Sequence, residues 1–322
     1  MICRVAAVDC GTNSLRLLVA EVDLGRAELT DLTRRMEIVR LGEGVDETGR
    51  LAPAALARTI GMLREYADVI AGFAAQSVRM VATSATRDAG NAAEFVRRVT
   101  EVLGVAPEVL TGAGEAMLSF TGSTAELAAD HGGPFLVADI GGGSTEFVLG
   151  EAAAPGGAGA AESNVHAISV NIGCVRMTER HLRGDPPTAR ELAAATADID
   201  AALDAVADAV PVSEAKTLVG LAGSVTTVAA IATGLPAYDA ARIHHARVSA
   251  ADVHAVTLAL LSQTRAVRAA IGVMHPGRVD VIGGGALVLD RIMDRFGFSE
   301  VLVSEHDILD GMAWSLARDS CG

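Results

Sequence analysis

One pattern occurs twice in this chain and constrains its fold more than any other feature. Val5-Ala6-Ala7-Val8-Asp9-Cys10-Gly11-Thr12-Asn13-Ser14 runs into Leu15 to Val22, and Phe135-Leu136-Val137-Ala138-Asp139-Ile140-Gly141-Gly142-Gly143-Ser144 runs into Thr145 to Leu149. Each reads as a strand, a terminal Asp, a glycine turn carrying hydroxyls, and a return strand. Short apolar runs bounded by turn residues are strand signals, and a return strand straight after the turn makes a hairpin. Two related hairpins predict two related lobes.

The segments around them alternate in kind. Pro53 to Phe73 and Asn91 to Leu103 carry apolar residues at helical spacing, and Ser77 to Thr83 reads as a strand, so the first lobe is α/β. Further on, Glu191 to Val210 is helical, and Leu218 to Leu221 is a strand leading through Ala222-Gly223-Ser224 into a helix. Val279 to Ile282 reads as another strand, leading through Gly283-Gly284-Gly285 into a helix near Ala286 to Phe296. Glu151 to Glu162, with Pro155-Gly156-Gly157, reads as a loop.

Composition excludes several classes. The chain has 322 residues, half of them hydrophobic and 20% charged, which is enough for two packed lobes and unlike a disordered chain. No apolar run reaches the roughly 18 residues of a membrane span, and the first residues lead into a strand rather than a secretory signal, so a cytoplasmic location is expected. A net charge of -14 argues against a nucleic-acid binder, which needs many cationic phosphate contacts. Lys216 is the only lysine, so no Walker loop exists. Cys3, Cys10, Cys174 and Cys321 are far apart, without C-x-x-C or zinc spacing, and are expected to be reduced thiols.

Four turns of small residues at strand ends are what a polyphosphate site requires. Glycine lets the backbone approach an anion, N–H groups and hydroxyls donate to it, and helix N-termini add positive potential. Each turn alone is ordinary turn chemistry; together they point to phosphate. Asp9 and Asp139 end their strands where carboxylates can hold a hydrated Mg²⁺, with an Asx-turn as the structural alternative. Glu146 shares a face with Ser144, or is an edge glutamate. Glu115 sits in a first helical turn, where a dipole role explains it equally. Thr83-Ser84-Ala85-Thr86-Arg87 offers hydroxyls and a guanidinium suited to phosphate, with a surface arginine as the alternative for Arg87. Cys10 to Arg16 satisfies C-x5-R, the spacing of cysteine phosphatases, yet a strand follows it where that chemistry needs a helix N-terminus.

At these residues the chain resembles the exopolyphosphatase and guanosine pentaphosphate phosphohydrolase (Ppx/GppA) family over essentially its whole length. Asp9 to Ser14 and Asp139-Ile140-Gly141-Gly142-Gly143-Ser144-Thr145-Glu146 resemble its two phosphate motifs. Gly173-Cys174-Val175-Arg176-Met177-Thr178-Glu179 and Ala222-Gly223-Ser224-Val225-Thr226-Thr227 also resemble family segments. The resemblance implies an α/β fold of two ribonuclease-H-like lobes, as in actin, sugar kinases and heat-shock ATPases, with a cleft between them. The expected division is 1–127, 128–303 and a terminal helix in 304–322 packing back on the first lobe. It implies Mg²⁺, held by Asp139 and Glu146 with Asp9 binding through water, and makes Glu115 the general base. Gly114 replaces the first glutamate of the family's S-G-x-E-E-A segment, Cys10 stands where an apolar residue is usual, and the C-terminal region of longer relatives is lacking.

The resulting expectation is a Mg²⁺-dependent exopolyphosphatase. Gly11, Thr12, Asn13, Ser14, Arg87, Gly141, Gly142, Gly143, Ser144, Gly223 and Ser224 would hold the phosphates, and Glu115 and Glu146 would serve catalysis. Short chains should be favoured, because an acidic surface gives a long polyanion little to track. The partner is polyphosphate or a phosphorylated guanosine nucleotide of the stringent response, with no membrane or nucleic acid, and a homodimer is the candidate assembly. A kinase of the same superfamily and a non-catalytic guanosine penta- or tetraphosphate sensor are the rivals.

Overall fold

The computed structural model describes residues 2–125, 127, 131–152 and 165–321. Most of the 151–162 stretch, read above as a loop, lies outside them. Two compact units emerge: unit 1 holds Met1–Asp130 and Asp307–Gly322, and unit 2 holds His131–Glu151 and Ser163–His306.

In unit 1 the elements run β1 (Ile2–Cys10), β2 (Ser14–Asp23), β3 (Glu28–Ile38), α1 (Val45–Thr48), α2 (Pro53–Gly72), β4 (Ser77–Ala82), α3 (Ser84–Asp88), α4 (Ala92–Leu103), β5 (Glu108–Val109) and α5 (Gly112–Thr124). The sheet order is β3-β2-β1-β4-β5. β1 to β3 are antiparallel, whereas β4 runs parallel to β1 and β5 parallel to β4. The parallel joins need crossovers, which α2 and the α3–α4 pair provide.

Both faces of the sheet are covered, which is why β1 and β2 are almost continuously apolar. Ala6, Val8 and Cys10 pack with Leu56 and Leu63 of α2 and Phe95 of α4. Cys3, Val5 and Ala7 face the other way, against Leu309, Met312 and Ala313. Those residues belong to the last helix of the chain, Ile308–Cys321, here α13. Its start is capped reciprocally: the Asp307 carboxylate accepts from the Leu309 N–H at 3.0 Å, and Asp310 accepts from the Asp307 N–H at 2.8 Å.

α5 and α13 touch backbone to backbone. A methyl group on Gly122 would overlap the Asp307 carbonyl and crowd the Gly311 nitrogen, and one on Gly311 would overlap the Leu118 carbonyl. The same docking overturns the expectation of four reduced thiols. Cys3 at the start of β1 and Cys321 at the end of α13 form a disulfide across a sequence separation of 318. Separation along the chain says nothing about proximity once a terminal helix lies antiparallel along the first strand. Cys10 and Cys174 are free and buried.

Unit 2 repeats the plan. Its elements are β6 (Phe135–Ile140), β7 (Thr145–Gly150), β8 (His166–Val170), α6 (Cys174–His181), α7 (Ala189–Ala209), β9 (Thr217–Leu221), α8 (Ala222–Ala232), α9 (Ala240–Ile243), β10 (Arg247–Ser249), α10 (Ala250–Ser262), α11 (Arg265–Ala269), α12 (Ile282–Phe296) and β11 (Glu300–Val303). The sheet order is β10-β11-β9-β6-β7-β8. β6, β7 and β8 are antiparallel neighbours, and β9 runs parallel to β6, so both sheets have the ribonuclease-H-like arrangement. Leu136, Ala138 and Ile140 face one large core with Phe147, Leu203 and Ile292. Among the described residues no helix is long and apolar enough to cross a membrane.

The strand expected at Val279 to Ile282 is absent. Val279 to Val281 form turns, and Gly283, Gly284 and Gly285 lie in the first helical turn of α12. Their composition reflects close packing rather than a loop. A methyl on Gly284 would meet the Cys174 carbonyl and Thr178 Oγ1, and one on Gly285 would overlap Ser224 Oγ.

Because backbone cannot yield as a side-chain tip can, Gly122→Ala is expected to destabilise unit 1 by about 3 kcal/mol, the upper end for overpacked interiors. Urea unfolding of the variant measures it. The exposed Gly72, where a methyl meets nothing within 4 Å, is the matched control.

Candidate active site

The two glycine turns have the same closing bond. Gly11 N–H donates to the Ser14 carbonyl at 3.0 Å, and Gly141 N–H donates to the Ser144 carbonyl at 3.0 Å. In unit 1 the turn meets the segment that follows β4. Thr83 N–H donates to the Cys10 carbonyl at 3.2 Å, and the hydroxyls of Thr12 and Ser84 are bonded at 2.8 Å. Thr83 is the N-cap and Ser84 to Arg87 lie in α3, a short helix against the Gly11 to Ser14 turn.

Arg87 and Glu115 were inferred separately and the structure pairs them. Arg87 Nη1 donates to the Leu110 carbonyl at 2.9 Å and to Glu115 Oε2 at 3.2 Å. Thr111 caps α5 by accepting from the Gly114 N–H, which sets Glu115 in the first turn. The guanidinium therefore fixes the direction of the carboxylate expected to act as base, whose side chain is 12% exposed.

Asp9 ends β1 on the face that α13 covers. Its Oδ2 accepts from Arg16 Nε at 2.8 Å and Nη2 at 2.6 Å, and Arg16 also pairs with Asp307. Asp9 Oδ1 is buried without a hydrogen-bond partner. Burial raises the Asp9 carboxyl above its ordinary value against the pull of Arg16, and Asp307 adds to the rise. Arg16 is thus a carboxylate clamp, and burial with Asp9 close by pushes the Cys10 thiol well above its usual range. β2 follows Cys10 to Arg16, so no helix N-terminus stands there to make a thiolate.

In unit 2, Asp139 and Glu146 are directly opposite partners on β6 and β7. Opposite residues of an antiparallel pair share a face, and this is the face turned away from Leu136 and Phe147 of the core. Glu146 is 1% exposed, and its Oε1 accepts from Ser144 Oγ and Ser169 Oγ, each at 2.7 Å. The Ser144 hydroxyl therefore orients Glu146, where the sequence suggested a phosphate donor. Two hard oxygen carboxylates beside a glycine turn suit a small divalent ion, which usually takes one or two carboxylates plus water and substrate oxygens. Among the described residues no group of three or more His, Cys, Asp or Glu is placed to hold an ion.

Gly173 to Glu179 acquires a function from the geometry. The N–H groups of Cys174 and Val175 donate to the carbonyls of Gly141 and Gly142 at 2.9 Å, and Arg176 Nε donates to the Gly143 carbonyl at 2.6 Å. With its carbonyls held from behind, the turn presents its other side. Ala222 opens α8 at φ 69°, a strained value for a residue with a side chain, and Gly223 and Ser224 fill the first turn.

Sequence reasoning missed Arg278. Its guanidinium occupies the space a methyl on Gly223 would need, and Nη1 donates to Thr227 Oγ1 at 3.3 Å. It brings positive charge to the Gly223-Ser224 turn; burial raises the Cys174 thiol nearby, against the pull of the Ser224 hydroxyl and of the Arg278 charge. The only signal was Pro276-Gly277-Arg278 just ahead of a glycine-rich helix start.

Comparison with known proteins agrees with the fold. The chain is 50% identical to exopolyphosphatase 2 of Mycobacterium tuberculosis over 98% of both chains. A crystal structure of an exopolyphosphatase-like protein matches with 42% identity and a TM-score of 0.91, covering 98% of this chain and 99% of that one. The Aquifex aeolicus member of the Ppx/GppA family matches over 100% of both chains at 30% identity, with a TM-score of 0.79. The Ppx/GppA phosphatase family matches residues 18–319, nearly the whole chain. With the family matching nearly its whole length and a half-identical relative covering 98% of it, the chain belongs to the Ppx/GppA phosphatase family.

Proposed function

We propose that the protein is an exopolyphosphatase, releasing orthophosphate from the ends of inorganic polyphosphate by attack of water. The observation that carries this reading is the placement of Asp139 directly opposite Glu146, beside the Gly141 to Ser144 turn. The half-identical relative called exopolyphosphatase 2 supports polyphosphate as the substrate. Guanosine pentaphosphate, which offers the same terminal anhydride, is the second reading. The proposal extends to Mg²⁺ as the ion, the cytoplasm as the location and a homodimer as the assembly.

In this mechanism Asp139 and Glu146 would hold the divalent ion. When bound, the ion supplies positive charge to phosphoryl oxygens. Backbone N–H groups of Gly11 to Ser14 with Arg87 in unit 1, and those of Gly141 to Gly143 with Gly223-Ser224 in unit 2, would each bind phosphate. Phosphoryl transfer needs positioning and charge more than covalent chemistry. Glu115, aimed by Arg87, takes the proton from the attacking water. No thiol participates.

Glu115→Gln keeps the shape and removes the base, so kcat should fall by roughly 10²- to 10⁴-fold, while inorganic phosphate still inhibits; near-normal turnover would remove Glu115 from the mechanism. Asp139→Asn should lose activity together with its Mg²⁺ response, because an amide lacks the charge that holds a hard cation. Titration of dialysed protein with Mg²⁺ and with EDTA reads this out, and full wild-type activity in EDTA would contradict it. Side-by-side phosphate release from polyphosphates of graded length, guanosine pentaphosphate and a sugar acceptor with ATP tests the function. We expect short polyphosphate to be the best substrate and long chains to pass through intermediates on a gel. Tight guanosine nucleotide binding without turnover would establish the sensor instead.

A further inference from the structure

The first phosphate turn is backed by a segment that no motif covers. After β3 the chain passes beneath Gly11 to Ser14 as a strap. Val39 and Arg40 N–H groups both donate to the Asn13 carbonyl, at 3.0 and 2.9 Å, and Gly42 N–H donates to the Thr12 carbonyl at 2.8 Å. Arg40 reaches this position at φ 49°, a left-handed value that costs a side-chain-bearing residue energy. Gly42 is held tighter still: a methyl there would overlap Thr12 Cγ2 and come within 3.1 Å of Ala85 Cβ. Thr12 is the residue whose hydroxyl joins Ser84 at 2.8 Å.

Arg58, one turn into α2, closes over the outside of the strap. Its Nε donates to the Val39 carbonyl at 3.0 Å, and its Nη2 donates to the Arg40 carbonyl at 3.3 Å and to Glu43 Oε2 at 2.9 Å. The left-handed turn at Arg40 brings two successive carbonyls within reach of one planar fork, a match that a lysine cannot make.

We propose that Arg58 is a positioning residue for substrate phosphate, acting through the Val39–Gly42 strap on the Gly11 to Ser14 turn. This rests on the reading of that turn as a phosphate site. The guanidinium bonds the strap's carbonyls, the strap's N–H groups bond the turn's carbonyls, and the turn's remaining donors are thereby held outward. Hydrogen bonds in series polarise one another, so the relay strengthens each member. Without Arg58 the strap is free to leave its left-handed turn, and Asn13 loses the two bonds that hold it. Asp139, Glu146 and Glu115 are untouched, so the deficit falls on binding.

The test is steady-state hydrolysis of short polyphosphate by the full chain, with inorganic phosphate as a competing ligand. The Arg58 side chain is 43% exposed, so its variants should fold, and thermal midpoints verify this. Arg58→Ala should raise KM about fivefold, the loss of one ordinary hydrogen bond's net worth, weaken phosphate inhibition by the same factor and leave kcat within about twofold. Arg58→Lys should recover only part of that, and Gly42→Ala should exceed it by displacing Thr12. Arg97→Ala, an exposed position on α4, controls for lost surface charge. If Thr12→Val raises KM and Arg58→Ala does not, the positioning role is overturned while the phosphate turn stands. If Thr12→Val also leaves KM and phosphate inhibition unchanged, the turn itself is not the site and both readings fall. A fall in kcat at constant KM in Arg58→Ala overturns the relay as well.

Discussion

Unit 1 is organised around one guanidinium. Arg16 on β2 bonds the buried Asp9 at the end of β1 and Asp307 at the head of α13. Two carboxylates this far from solvent are tolerable only with an ionised partner; removing one member of a buried pair costs roughly 3–5 kcal/mol because the other is left uncompensated. The alternation of β2 puts Arg16 on the same face as Leu18 and Ala20, the face α13 covers. Strand register, helix docking and the setting of the first glycine turn therefore depend on the same side chain.

The two glycine turns close with the same hydrogen bond and are supported differently. A backbone loop that offers N–H groups to an anion must have its carbonyls engaged elsewhere, or they would repel the ligand. In unit 2 the N-terminus of α6 and Arg176 take the carbonyls. In unit 1 an irregular strap does so at the expense of a left-handed arginine. The hairpins are alike in sequence and in their closing hydrogen bond, whereas the segments that support them differ.

That distinction separates what could be read from the sequence from what could not. The hairpins, α2, α4 and the strand before Thr83 are signalled locally, by alternation, helical spacing and glycine turns. Glu115 could be placed in a first helical turn, but its pairing with Arg87 depends on how α5 packs against α3. The glycines of α12 were misread because the same residue serves a loop and a close helix contact, and only Cys174 and Ser224 opposite them distinguish the two. Arg278 lies 55 residues from Gly223 in sequence, and Cys3 lies still farther from Cys321. Such contacts are made by tertiary packing and leave no periodic trace.

Most of unit 1 comes from two distant stretches of the chain, Met1–Asp130 and Asp307–Gly322. On the ribosome, where domains generally fold as they emerge, the N-terminal sheet appears early with one face bare. Cys3, Val5, Ala7 and Leu18 must wait for the helix that covers them until all of unit 2 has been made. A translation arrest late in the message would thus release a chain whose second unit is complete and whose first is still open, with Asp9 and Arg16 lacking their third partner. For this architecture a helix made after unit 2 decides whether a strand made before it is protected from aggregation.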